Sequence, residues 1–166
     1  MKTVTPSKIT ALVLFHLQND YFSTESVPTG DDFFIERVIT FADTIQFPEI
    51  ILIKKWNHHE MFQNTDISKH CIAETWGADI SPKCQILQNS ATHIIHYTEQ
   101  SDLCDMVLQY AEEKRIGLMI MGGLFLADEF DNLRLTFNKV NLEVNDTFVI
   151  CPIPHIIALE RIIAHG

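Results

Sequence analysis

Ala11-Leu12-Val13-Leu14-Phe15-His16-Leu17-Gln18-Asn19-Asp20-Tyr21 decides the fold class. Its first five residues are all apolar. A strand buried on both faces reads this way, because polar alternation disappears when neither face meets water. The polar half then starts at once, as it should where such a strand leaves the core. The same pattern recurs at Ile50-Ile-Leu-Ile53, His93-Ile-Ile-His-Tyr97, Gly117-Leu-Met-Ile-Met121 and Thr147-Phe-Val-Ile150. These runs predict strands near residues 10–16, 49–55, 93–97, 117–122 and 146–151.

Helical spacing fills the intervals. Thr29-Gly30-Asp31 offers cap residues ahead of Phe33, Phe34, Val38, Phe41 and Ile45, and Pro48 stops that helix. A second helix starts at Ser101 with Leu103, Val107, Leu108 and Ala111. A third runs through Phe130, Leu133 and Phe137, and a last one from Pro154 to Ala164. Its Ile156, Ile157, Leu159, Ile162 and Ile163 occupy more than one face, so it belongs in the core or at an oligomer interface. The stretch from Lys54 to Asn89 is irregular and polar. So long an irregular segment inside a compact domain is usually functional.

Alternating strands and helices specify an α/β fold, a mostly parallel sheet with helices on both faces and right-handed crossovers. Ligands in such folds sit beyond the carboxyl ends of the strands. Those ends carry His16 to Asp20, Lys55 to His59, His96 to Glu99 and Gly122 to Glu129. Gly122-Gly123 lacks the further glycines and the lysine of a phosphate loop, and reads as a tight strand-to-helix turn.

The chain has 166 residues, which predicts a single domain spanning 1–166. At that length about 70% of the unfolded surface can be buried, so a core forms without staples. Twelve basic residues against twenty-two acidic ones give a net charge of −10. That sign opposes a phosphate backbone or an anionic membrane, so neither nucleic acid nor membrane is expected as a partner. Cys71, Cys84, Cys104 and Cys151 show no C-x-x-C spacing, as expected of reduced thiols in a cytoplasmic protein. The apolar run from Ile9 is too short for a membrane span and lacks a small-residue cleavage site.

Four segments, in order, resemble the isochorismatase-like cysteine hydrolase superfamily, its nicotinamidase branch above all. Residues 11–21 are similar to its first strand, roughly A-L-[LI]-V-[VI]-D-[VM]-Q-N-D-F, with Gln18-Asn19-Asp20 in place. Trp56-Asn-His-His-Glu-Met-Phe62 resembles a shortened D-W-H…H-x-S-F loop. His70-Cys-Ile-Ala-Glu-Thr-Trp-Gly-Ala-Asp79 is similar to H-C-x-x-G-T-x-G-A-E and is the most specific match. Gly123-Leu-Phe-Leu-Ala-Asp-Glu-Phe130 falls on G-L-A-T-D-Y-C-V, and Asn141-Leu-Glu-Val144 on a later G-Y-x-V. The resemblance implies a three-layer α/β/α sandwich of about six strands, commonly oligomeric.

It also implies a chemistry whose residues are missing. Amidases of the family attack the carbonyl with a cysteine thiolate, helped by an aspartate and a lysine. Aligned residue by residue, those positions hold Glu129, His16 and His96. A carboxylate is a weak nucleophile toward an amide, and its attack would leave a labile anhydride. The nicotinamidase branch also binds a divalent metal through one aspartate and three histidines. Lys55 and Asn57 stand at two of those positions, leaving His59 (or His58) and His70. Two imidazoles make a poor zinc site, and a neighbouring ammonium repels the ion. No cofactor is therefore expected, with a divalent ion such as zinc or manganese the alternative.

His16, His96 and Glu129 are read in two ways. They form either a rebuilt site, such as a 2-His-1-carboxylate metal centre or an acid–base pair, or a hydrogen-bonded plug in the old cleft. Asp20, Tyr21, Lys55, Trp56, Trp76 and Asp128 are candidates for the surrounding pocket, with Lys55 placed to pair with Glu129 or Asp20. Three functional readings follow. The first is a pseudoenzyme binding a small molecule or a protein, the second an active hydrolase with a rebuilt site, the third a structural subunit of a homo-oligomer. A cleft filled by Trp56, Phe125 or Tyr97 would favour the third.

Overall fold

A computed structural model describes residues 8–22, 32–64, 69–125 and 127–150. Strands β1 (Ile9–Phe15), β2 (Glu49–Lys55), β3 (His93–Tyr97), β4 (Ile116–Leu124) and β5 (Glu143–Ile150) form one sheet in the order β3-β2-β1-β4-β5. Every neighbouring pair is parallel. The parallel sheet expected from the apolar runs is therefore present. It has five strands among the described residues where about six were expected. The expected helix at 154–164, the cap residues 29–31 and Cys151 lie outside the described residues.

Parallel neighbours need crossovers, and helices supply them. These are α1 (Asn19–Phe22), α2 (Asp32–Ile45), α3 (Gln85–Ser90), α4 (Gln100–Lys114) and α5 (Ala127–Lys139). The alternating side chains of each strand sort into two cores. Ala11, Val13, Phe15, Ile51, Ile53, Ile95 and Met119 pack with Leu103 and Val107 of α4 and Leu133 and Phe137 of α5. Leu12, Leu14, Ile50 and Leu52 pack on the other face with Ile35 and Val38 of α2 and Leu87 of α3. The molecule is thus an α/β/α sandwich with β1 at its centre.

The segment between β2 and β3 has short turns at His59–Phe62, Trp76–Ala78 and Pro82–Cys84, as its composition predicts, but its end is not irregular: α3 occupies Gln85–Ser90, where Leu87 packs into the core. The Gly122-Gly123 pair lies inside β4 rather than in a turn beyond it. Gly123 has φ +126°, and a Cβ there would stand 2.2 Å from the Phe15 carbonyl oxygen. Glycine is required because the backbones of β1 and β4 close together at their carboxyl ends.

Candidate functional site

The carboxyl ends of β1, β2, β3 and β4 meet around His16. The chain turns out of β1 at this residue, which has the left-handed φ of +61°. The turn sends the imidazole into the protein, where it is 0% exposed. Its Nδ1 donates to the Leu124 carbonyl oxygen at the end of β4. A carbonyl only accepts, so Nδ1 carries the proton, and in the neutral ring Nε2 accepts from the Tyr97 hydroxyl at 2.7 Å. Tyr21 stacks on the imidazole with centroids 5.7 Å apart, and Phe15 and Phe125 meet it edge-on. Both ring nitrogens are engaged and aromatic carbon surrounds the rest.

Tyr97, which the motif alignment passed over, is the partner of His16. The expected partner, His96, lies on the opposite face of β3. Strand alternation carries Ile95 and Tyr97 into the core shared with α4, and leaves His96 exposed. Its ring stacks on Trp56 at 4.7 Å. The Lys54 ammonium lies 5.0 Å from the centroid of the same indole. The expected convergence of His16 with His96 is therefore corrected. The side chains of Asp128 and Glu129 lie outside the described part of the structure, whose backbone places both in the first turn of α5.

The Gln18-Asn19-Asp20 triplet is a clamp. Gln18 is buried, and its amide donates to the carbonyls of Lys55 and Ala78 and accepts from the Lys55 N–H. Asn19 donates to the Trp76 carbonyl at 2.8 Å. Asp20 accepts from the Cys71 N–H at 2.7 Å. Three consecutive side chains thus tie the end of β1 to β2 and to the segment 70–80. Gly77 belongs to the same arrangement, since a Cβ there would stand 2.2 Å from the Asp20 carboxylate.

Of the remaining pocket candidates, Tyr21 and Lys55 are buried and Trp56 is half-buried. Trp76 is 61% exposed and contributes its carbonyl rather than its ring to the clamp. Of the metal positions that the resemblance implies, His59 is exposed on its turn, whereas His70 is half-buried against the edges of Tyr21 and Phe62. Asn57 donates to the His70 carbonyl and pairs with Ile72, which is a structural role. Among the described residues no three His, Cys, Asp or Glu side chains gather as a metal would require. The described residues do not fit the divalent ion that the resemblance implies.

The three described thiols are equally withdrawn. Cys71 is buried among Tyr21, Ala78 and Leu124. Burial pushes the Cys84 thiol up to about 12, with Lys83 opposing weakly. Burial also raises Cys104, and the Asp105 charge adds to it. A nucleophilic cysteine needs the reverse, a lowered pKa and exposure to substrate.

No protein-family profile matches the chain, and no curated protein is similar to it in sequence. Solved structures are similar in fold. A pyrazinamidase/nicotinamidase from Streptococcus mutans superposes with a TM-score of 0.66 at 15% identity, over 94% of this chain and 93% of that one. An N-carbamoylsarcosine amidase from Thermoplasma acidophilum gives 0.60 at 13% identity, over 82% and 79%. An isochorismatase-like hydrolase from Alkaliphilus metalliredigens gives 0.50 at 15%, over 92% and 100%. The chain has the isochorismatase-like hydrolase fold.

Proposed function

We propose that this chain is a pseudoenzyme of the isochorismatase-like fold, which has lost thiol-dependent amide hydrolysis and works through its surface as a structural subunit, the reading that Phe125 and Tyr97 packed on His16 favour. The His16–Tyr97 hydrogen bond carries the reading. The aligned aspartate position should hold a base open to the nucleophile and the substrate. Here it holds an imidazole 0% exposed, with Leu124 on one nitrogen and Tyr97 on the other. A rebuilt His/Glu site would need His96 beside His16, and His96 stacks on Trp56 instead. The aligned cysteine position is Glu129, a poor nucleophile toward an amide. The clamp and the sandwich keep the scaffold, so selection for a surface rather than for chemistry accounts for both facts.

Purified protein is to be incubated with nicotinamide and related amides, with and without iodoacetamide. The expected result is no ammonia release above the buffer rate and no effect of the alkylator. Turnover that alkylation abolishes, and that Cys71→Ser abolishes as well, would overturn the reading.

A further inference from the structure

α2 and α3 pack on the same face of the sheet, and a groove of about 500 Å³ runs between them. Its apolar walls are Ile39 and Phe47 on one side and Ile86 and Leu87 on the other, joined by Ile50 of β2. Ile86 is 61% exposed, and Ile45, the last residue of α2, is 53% exposed. A lone exposed isoleucine is ordinary, but two flanking an apolar groove make a patch that a partner would cover. The rim of the groove is negative. Asp43 is the one charged side chain among the described residues that line it. Gln46 and Ser90 line it at the C-terminal ends of α2 and α3, and neither helix has a basic residue in its last turn. A helix C-terminus carries partial negative charge, which a lysine or arginine there would offset.

We propose that this groove docks a basic amphipathic helix of a partner protein. The helix sets its apolar side chains between α2 and α3, and its lysines or arginines over Asp43 and the two helix ends. The proposal rests on the reading of the chain as a subunit that works through its surface. Three features choose the occupant. An extended segment finds no backbone to pair with, because β2 is already bonded to β1 and β3 on its two sides. Apolar anchors one turn apart on a helix suit a groove walled by two other helices. The negative rim calls for a cationic partner, and a second copy of this chain, at net charge −10, brings the wrong sign.

Calorimetric titration of the full chain tests this with a synthetic helical peptide bearing leucines along one face and lysines along the other. The peptide is expected to bind. The same composition with its leucines dispersed around the helix is expected to bind at least about tenfold more weakly. Ile86→Glu should also weaken binding at least about tenfold, although its added negative charge would strengthen a purely electrostatic attraction. Asp43→Lys should weaken it as well, whereas Asp105→Lys, the same change of charge on α4 across the sheet, should not. Methyl resonances of Ile39, Ile86 and Leu87 should shift on titration, while those of Leu135, 53% exposed on α5, stay in place. That readout uses the wild type and stands even if Ile86→Glu fails to fold. Absence of binding, as when residues 151–166 or a second copy already fill the groove, overturns the proposal. So does equal binding of the two peptides, equal weakening by Asp43→Lys and Asp105→Lys, or methyl shifts that miss the groove. Amide turnover by the chain would unseat the pseudoenzyme reading alone and leave these titrations to decide the groove.

Discussion

Tyr97 lies one position beyond the histidine that motif alignment selects, and that single step reverses the face of the strand. In His93-Ile94-Ile95-His96-Tyr97 both faces carry an isoleucine and a histidine, so hydrophobic pattern does not say which face is buried. The packing of α4 decides it. His16 was legible as a residue at the critical strand end, because the apolar run stops there. Its closure was not, since Leu124 and Phe125 reach it across 108 and more positions of chain. Gln18, Asn19 and Asp20 were legible as a motif, whereas their clamping role needed coordinates for the carbonyls they bind. The plug makes a stability prediction. Tyr97→Phe removes the hydroxyl and leaves Nε2 of a buried imidazole without that partner. The expected cost is about 1–3 kcal/mol. For a chain of this size that is a fall in Tm of roughly 2–4 °C per kcal/mol. Thermal denaturation checks it, and a variant as stable as the wild type would show that the bond contributes nothing.

At the scale of elements, the strands were legible because fully buried strands are continuous apolar runs, and their bounds came within a few residues. β5 is the exception, starting at Glu143 rather than near 146. Glu143 and Asn145 look like loop residues, and pairing with Leu118 and Ile120 of β4 extends the strand through them. The packing of helix α4 on β3 rests partly on a polar junction that periodicity does not reveal. Glu49, opening β2, accepts from Thr92 and from the Tyr110 hydroxyl at 2.7 Å, and the Tyr110 ring stacks on His93. Burial alone would raise the Glu49 carboxyl. The two hydrogen bonds, with Lys114 and His93 nearby, outweigh it and hold the group below its ordinary 4.5. A carboxylate depressed on folding stabilises the folded state above its unfolded pKa. That contribution is lost as pH falls through the lower, folded value. Stability should therefore decline on acidification below about pH 4.5, and Glu49→Gln should make that decline shallower. Urea midpoints measured between neutral and acid pH for both proteins decide it. Parallel curves would mean that Glu49 does not couple β2 to α4.

For the whole molecule, the two-faced sandwich distributes the described thiols over three separate places. Cys104 sits in the α4 core, Cys84 in the core beneath α2 and α3, and Cys71 in the cluster at the strand ends. Each is buried. Their reactivity therefore reports on three regions at once. With Cys151→Ser removing the fourth thiol, the native protein should resist alkylation near neutral pH, because the nucleophilic thiolate is both scarce and covered. In increasing urea all three should become reactive along one transition, if a single sheet joins both cores into one cooperative unit. Mass spectrometry of peptides after brief alkylation resolves the three sites. Cys84 and Cys104 opening at different midpoints would mean that the two faces unfold separately. Fast native labelling of Cys71 would carry a sharper consequence. It would show that the cluster around Tyr21 and Leu124 opens toward solvent. A thiol would then be available in the cluster of Tyr21, whose ring stacks on His16, and loss of thiol chemistry would no longer follow from burial.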